Sequence, residues 1–194
     1  MFPLDDRTRN AFTREASFSL IHFRGNVLEA LPQLLDGCGY RPVENATLAG
    51  PFEEVYWSLQ DAEDPETPTM RKAAYLVPGG TVLMDPEMVI GFSHADVLQQ
   101  FCVDTGSVAV VALWERVSES ALVLTVTSAG VRSRTFLIRG QPEGEQVAPN
   151  ANLAASPDAT GVRQVMASLA IPVDSVFGNV EAWGIELHHG NPGV

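Results

Sequence analysis

The chain has 194 residues, 45% of them hydrophobic and 19% charged, enough apolar content for one domain with a substantial core and too much for a wholly disordered chain. Its net charge of −12, from 24 acids against 12 bases, repels nucleic-acid backbones and anionic membranes and attracts a basic protein or a cation. All the bases except Lys72 are arginines, a bias that fits a GC-rich, bacterial-type genome better than a demand for anion binding.

Cys38 and Cys102 are the only cysteines, too few for a disulfide framework. The start Met1–Asp6 lacks the cationic and apolar stretches of a signal peptide. The longest apolar run, Val108–Trp114, is far short of the roughly 20 residues of a membrane helix. These features point to a cytoplasmic protein with no nucleic-acid or membrane partner.

Residues 1–14 carry Arg7, Arg9 and Arg14 and read as a loose arm. A single domain is expected over 15–188, with 189–194 as a tail. Ser17–Phe23 suits a strand apolar on both faces. A helix follows: Asn26 and Glu29 have reciprocal capping spacing, and Val27, Leu28, Leu31, Leu34 and Leu35 share one face of a 3.6-residue period. Gly37 is the expected left-handed stop, and Pro32 predicts a kink or an irregular first turn.

Between Pro42 and Met70 there is no lysine or arginine. Glu53, Glu54, Asp61, Glu63, Asp64 and Glu66 fall in that span and form a candidate docking patch for a basic partner. Glu54–Gln60 alternates as a strand would, and Asp61–Thr69 reads as an exposed loop. Lys72–Val77 and Thr81–Asp85 around Pro78-Gly79-Gly80 signal a hairpin. A second helix begins near Ser93, with Asp96 at capping distance, and Gly106 ends it.

Three strands then succeed one another: Val108–Trp114, Ala121–Thr127 and Val131–Ile138, with Ser128-Ala129-Gly130 as the last turn. In the third, Arg132 and Arg134 share parity with Phe136 and Ile138, which predicts a bulge near Thr135 or a projecting start. Gly140–Asp158 is loop-like. A third helix is expected near Thr160–Ala170, ended by Pro172, and a final strand at Val180–Leu187.

The spacing motifs of phosphate loops, dinucleotide folds, nucleophile elbows and zinc sites are missing, so no metal or cofactor is expected. His188 and His189 are adjacent, and in an extended chain they point to opposite faces, which is poor geometry for one metal. The candidates for catalysis are Asp85, His94 and Glu115, with Glu87 beside them: strand-end carboxylates can divide acid and base roles in one cleft. Arg132 and Arg134 are candidate anion ligands. Trp57, Trp114 and Trp183 are expected to fill core contacts.

The fold class expected is α+β: one domain, a mostly antiparallel sheet of roughly five to seven strands, and about three helices packed mainly on one face. The leading functional reading is a non-catalytic acidic protein-binding domain, adaptor or immunity-like. The alternatives are a hydrolase built on Asp85, His94 or Glu115, and a homo-oligomeric structural subunit.

Overall fold

The computed structural model describes residues 17–60, 70–138, 141–142 and 158–189. Strand β1 (Phe18–Arg24) is buried at every position from Phe18 to Phe23. Successive strand side chains point to opposite faces. β1 therefore carries Phe18, Leu20 and His22 to a first face and Ser19, Ile21 and Phe23 to a second. Neither set tolerates water, so the strand belongs in the interior of a sheet.

It is the middle strand of nine among the described residues. The others are β2 (Tyr40–Pro51), β3 (Met70–Val77), β4 (Gly80–Met84), β5 (Ala109–Glu115), β6 (Ser120–Thr127), β7 (Gly130–Ile138), the two-residue β8 (Gln141–Pro142) and β9 (Asn179–His189). Their order is β2-β9-β3-β4-β1-β5-β6-β7-β8, and every pair is antiparallel. The run β5 to β8 is a meander. β3 and β4 form the expected hairpin, with Gly79 at φ 78°, a turn conformation glycine adopts freely.

Six helices accompany the sheet among the described residues: α1 (Leu31–Gly37), α2 (Phe52–Gln60), α3 (Val89–Ser93), α4 (Ala95–Thr105), α5 (Ala159–Ser168) and α6 (Val173–Val176). The α+β class and the antiparallel sheet hold. The placement of the helices mainly on one face does not. Phe52, Val55, Tyr56 and Leu59 of α2, Val162, Val165 and Met166 of α5 and Val176 of α6 share the first-face core with Phe18, Leu20 and Trp114. Leu31, Leu34 and Leu35 of α1, Ile90 of α3 and Leu98, Phe101 and Cys102 of α4 share the second-face core with Ile21, Phe23 and Val111. Strands apolar on both sides need a helical layer on each.

Two other local expectations are revised, and the irregular helix start expected at Pro32 is found. Residues 54–60 form a helix, not a strand: Phe52, Val55, Tyr56 and Leu59 recur at helical spacing and are all buried, whereas Trp57, which carried the apparent alternation, is 40% exposed. The bulge in β7 falls at Arg132, because Thr125 pairs with Ser133 and Val126 with Val131. In α1, a 3-10 turn at Leu28–Ala30 comes first, with Asn26 Oδ1 accepting from the Leu28 amide at 3.2 Å. Pro32 then sits in the first turn of α1, where its missing N–H is of no consequence.

The left-handed residue after α1 is Gly39, at φ 82°, not Gly37. Gly37 has a different task, since a Cβ there would lie 2.7 Å from Val97 Cγ1 and force α1 away from α4. α4 ends at Gly106 in the left-handed region, and Asp158 caps α5 by accepting from the Gly161 amide at 2.9 Å. His188 and His189 belong to β9, opposite Arg41 and Tyr40. The 1–14 arm and residues 190–194 of the expected tail lie outside the described residues.

Helix propensity alone favours alanine over glycine by about 1 kcal/mol. The contact with the stiff Val97 side chain reverses that sign. Gly37→Ala is expected to destabilise the fold by about 1–3 kcal/mol in urea unfolding, and adding Val97→Ala to that variant is expected to recover most of the loss.

Candidate functional site

The two-residue turn of the β3–β4 hairpin sets Val77 opposite Gly80 and Ala73 opposite Met84. One further step brings Lys72 to the level of Asp85. Lys72, the chain's only lysine, has no exposed surface, and Asp85 is 1% exposed. Lys72 Nζ donates to Asp85 Oδ1 at 2.5 Å and to Glu87 Oε2. The other oxygen of Asp85 accepts from the amides of Ile90 at 2.9 Å and Gly91 at 3.4 Å, the first turn of α3. The Asp85 amide donates to the Ser19 carbonyl at 3.1 Å. Through its carboxylate and its own amide, Asp85 thus ties together β3, β4, β1 and α3.

Cys38 and Tyr40, at the end of α1 and the start of β2, are buried beside this cluster. Burial, then the negative charges of Asp85 and Asp96, push the Cys38 thiol up to about 12, so it is not a thiolate nucleophile. Burial, then Cys38 and the carboxylates of Asp85 and Glu87, push Tyr40 up to about 12. His94 precedes α4 and lies edge-on to Tyr40, ring centres 6.1 Å apart. A fully enclosed ammonium held by two carboxylates is an anchor. Both of its charge partners are engaged in holding it, and Asp85 is also bound to the start of α3.

The structure therefore brings Asp85 and Glu87 together with Lys72, and His94 to the margin of the same cluster. Glu115 stands apart, two strands away on β5. Burial pushes its carboxyl up, but hydrogen bonds from Ser118, from the Val117 amide and from Ser17 outweigh that and hold it below the usual range. Its oxygens accept from the Val117 amide at 2.9 Å and the Ser118 amide at 2.6 Å, which closes the β5–β6 turn.

In β7, Arg134 pairs with Leu124 while Arg132 is the extra residue of the bulge, so the two do not hold equivalent positions. Of the acidic docking candidates, Glu53 and Glu54 lie in the first turn of α2, and Asp61, Glu63, Asp64 and Glu66 fall outside the described residues. Among the described residues, no group of three or more His, Cys, Asp or Glu side chains is arranged to hold a metal, and no helix is long and apolar enough to cross a membrane.

Two tryptophans depart from the core placement expected of them. Trp114 is buried, but Trp57 and Trp183 are 40% and 47% exposed, on opposite sides of the sheet. Trp183 pairs with Ala74 across β9 and β3. With Ala74, Leu76 and Ile185 it floors a groove of about 400 Å³, walled by Leu28 and Pro32. Leu76 is 47% exposed. Glu29 also lines the groove, and among the described residues no lysine or arginine does. Sequence reading had a sign of this in Trp183 and Leu187 flanking Ile185 at strand spacing, but nothing local told which of them a helix would cover.

Compared with family models, with curated proteins and with solved structures, the chain matches none. Its own geometry is the basis for any functional reading.

Two expectations test these assignments. Removing the cation with Lys72→Met leaves a buried carboxylate without its partner and is expected to cost about 3–5 kcal/mol at neutral pH, read by urea unfolding. The second concerns His22, which is 4% exposed and whose ring nitrogens have no hydrogen-bond partner in another residue among the described residues. Burial, then the charge of Arg24, lower its pKa from 6.5 to about 4. Between those values only the unfolded chain binds the proton, so this contribution to stability is full above the higher value and lost as pH falls toward the lower one. The expected loss is about 3 kcal/mol. His22→Leu is expected to flatten the stability profile across that window.

Proposed function

We propose that this protein is a non-catalytic, acidic protein-binding domain, adaptor or immunity-like, acting in the cytoplasm of a bacterial-type cell. The observation that carries the reading is the half-exposed Trp183–Leu76 floor of the second-face groove on a chain of net charge −12. A contiguous apolar surface with a polar margin is the usual mark of an interaction site, and tryptophan is the residue most enriched where binding energy concentrates.

The disposition of the other candidate groups adds support. Asp85 is committed to Lys72 and to the start of α3, and Glu115 to its own turn. Carboxylates held this way serve stability and leave the hydrolase alternative without a convergent acid and base. The acidic residues Glu53 and Glu54, at the start of α2 on the first face, add only to the long-range negative charge that attracts a basic partner.

Immobilised protein exposed to an extract of its own cells is expected to retain a basic protein at low salt and to release it progressively as salt rises. No retained partner, or retention indifferent to ionic strength, counts against electrostatic docking.

A further inference from the structure

We infer that the second-face groove seats the apolar side of a basic amphipathic helix from a partner protein, an inference that rests on the protein-binding reading above. The second face is covered by helices packed side by side. α1 meets α4 along one flank, where Gly37 faces Val97. Its other flank, with the 3-10 turn before it, meets no helix among the described residues and borders the groove through Leu28 and Pro32. Neighbouring helices pack with axes about 8–10 Å apart. A further helix on that side of α1 would occupy the groove whose floor carries Trp183 and Leu76.

The same strands show what complete cover looks like. On the first face, α2 lies across β2, β9 and β3 and buries Phe52, Val55, Tyr56 and Leu59. On the second face, the corresponding corner leaves Trp183 and Leu76 each 47% exposed.

The lining residues select a helix over an extended segment. They come from residues 26–32, β3 and β9, with none from the edge strand β2. The groove thus presents side-chain surface and not unpaired backbone, and an added strand needs the latter. The charge selects a basic occupant. Glu29 lines the groove, Glu181 is exposed on the face of β9 that carries Trp183, and among the described residues no lysine or arginine lines it. The same acidity opposes a second copy of this chain, which would bring like charges together.

The test uses the full chain and a fluorescently labelled synthetic peptide with leucine along one helical face and lysine along the other. Its companion has the same composition, scrambled so that no apolar face forms. The patterned peptide is expected to bind, and Trp183→Ser and Leu76→Ser are each expected to weaken it about tenfold or more. Val117→Ser, at a site 91% exposed in the β5–β6 turn, is expected to leave binding unchanged. The two groove variants lie on different strands, so loss of folding in one leaves the other to decide.

If the scrambled peptide binds as tightly and neither groove variant matters, charge alone holds the peptide: the groove assignment fails and acidic docking stands. If neither peptide binds, the groove assignment fails, and the retention of a natural partner decides the broader reading separately. A dimer in light scattering that Trp183→Ser dissolves would place a second copy in the groove and overturn the inference.

Discussion

Strands β1 and β5 carry apolar side chains on both faces, and the rest of the molecule is arranged to keep both faces dry. Leu20 and Val110 on one side, Ile21 and Val111 on the other, are each 2% exposed or less. Burial of side chains of this size is worth about 1.5–3 kcal/mol apiece, so leaving either face in water would forfeit much of the driving force for folding. Two helical layers are the consequence. α2, α5 and α6 close one side, α1, α3 and α4 the other. The layers do not extend equally far toward β2, and that inequality creates the groove.

The local punctuation of the fold was legible. Pro78 and Gly79 mark the hairpin, Ser128 to Gly130 the last meander turn, and Gly106 the end of α4. Each acts within a few residues through fixed φ or freedom at positive φ, so no distant contact is needed to read it. The two-sided character of β1 and β5 was legible as well, although the second helical layer it demands was not drawn from it. The missed elements depend on partners far away in sequence. β2 contains Pro42 and Pro51, which argue against a strand until its place at the sheet edge is known, where a missing N–H is tolerated. Residues 52–60 support both a period of two and a period near 3.6, and only the burial of Phe52 and Tyr56 under the sheet decides between them.

The ion cluster lies between these cases. Lys72 and Asp85 are 13 residues apart, a spacing that matches no motif. Yet a two-residue turn at Pro78-Gly79 sets the register of the whole hairpin, and counting outward from it places 72 opposite 85. A sole lysine predicted inside an apolar strand, facing an acid at the strand end, is a pattern that sequence alone could have yielded. What sequence could not yield is the depth of burial, because residues buried near the pair, Cys38 and Tyr40, arrive from the end of α1 and from β2.

That covering also explains where the sheet face opens. Along β3 and β9, Lys72 lies opposite Ile185, and two residues on, Ala74 lies opposite Trp183. The first pair is enclosed; at the second, Trp183 is half in water. Cys38 and Tyr40, at the end of α1 and the start of β2, are buried near the charged pair, where an uncovered cation and carboxylate would lose their low-dielectric attraction to water. Cover spent on that corner is not available over Trp183. A face destined only for solvent has no use for tryptophan and leucine side by side, and a face destined only for the core would not leave them half exposed. Their intermediate exposure is the feature on which the proposed helix docking rests.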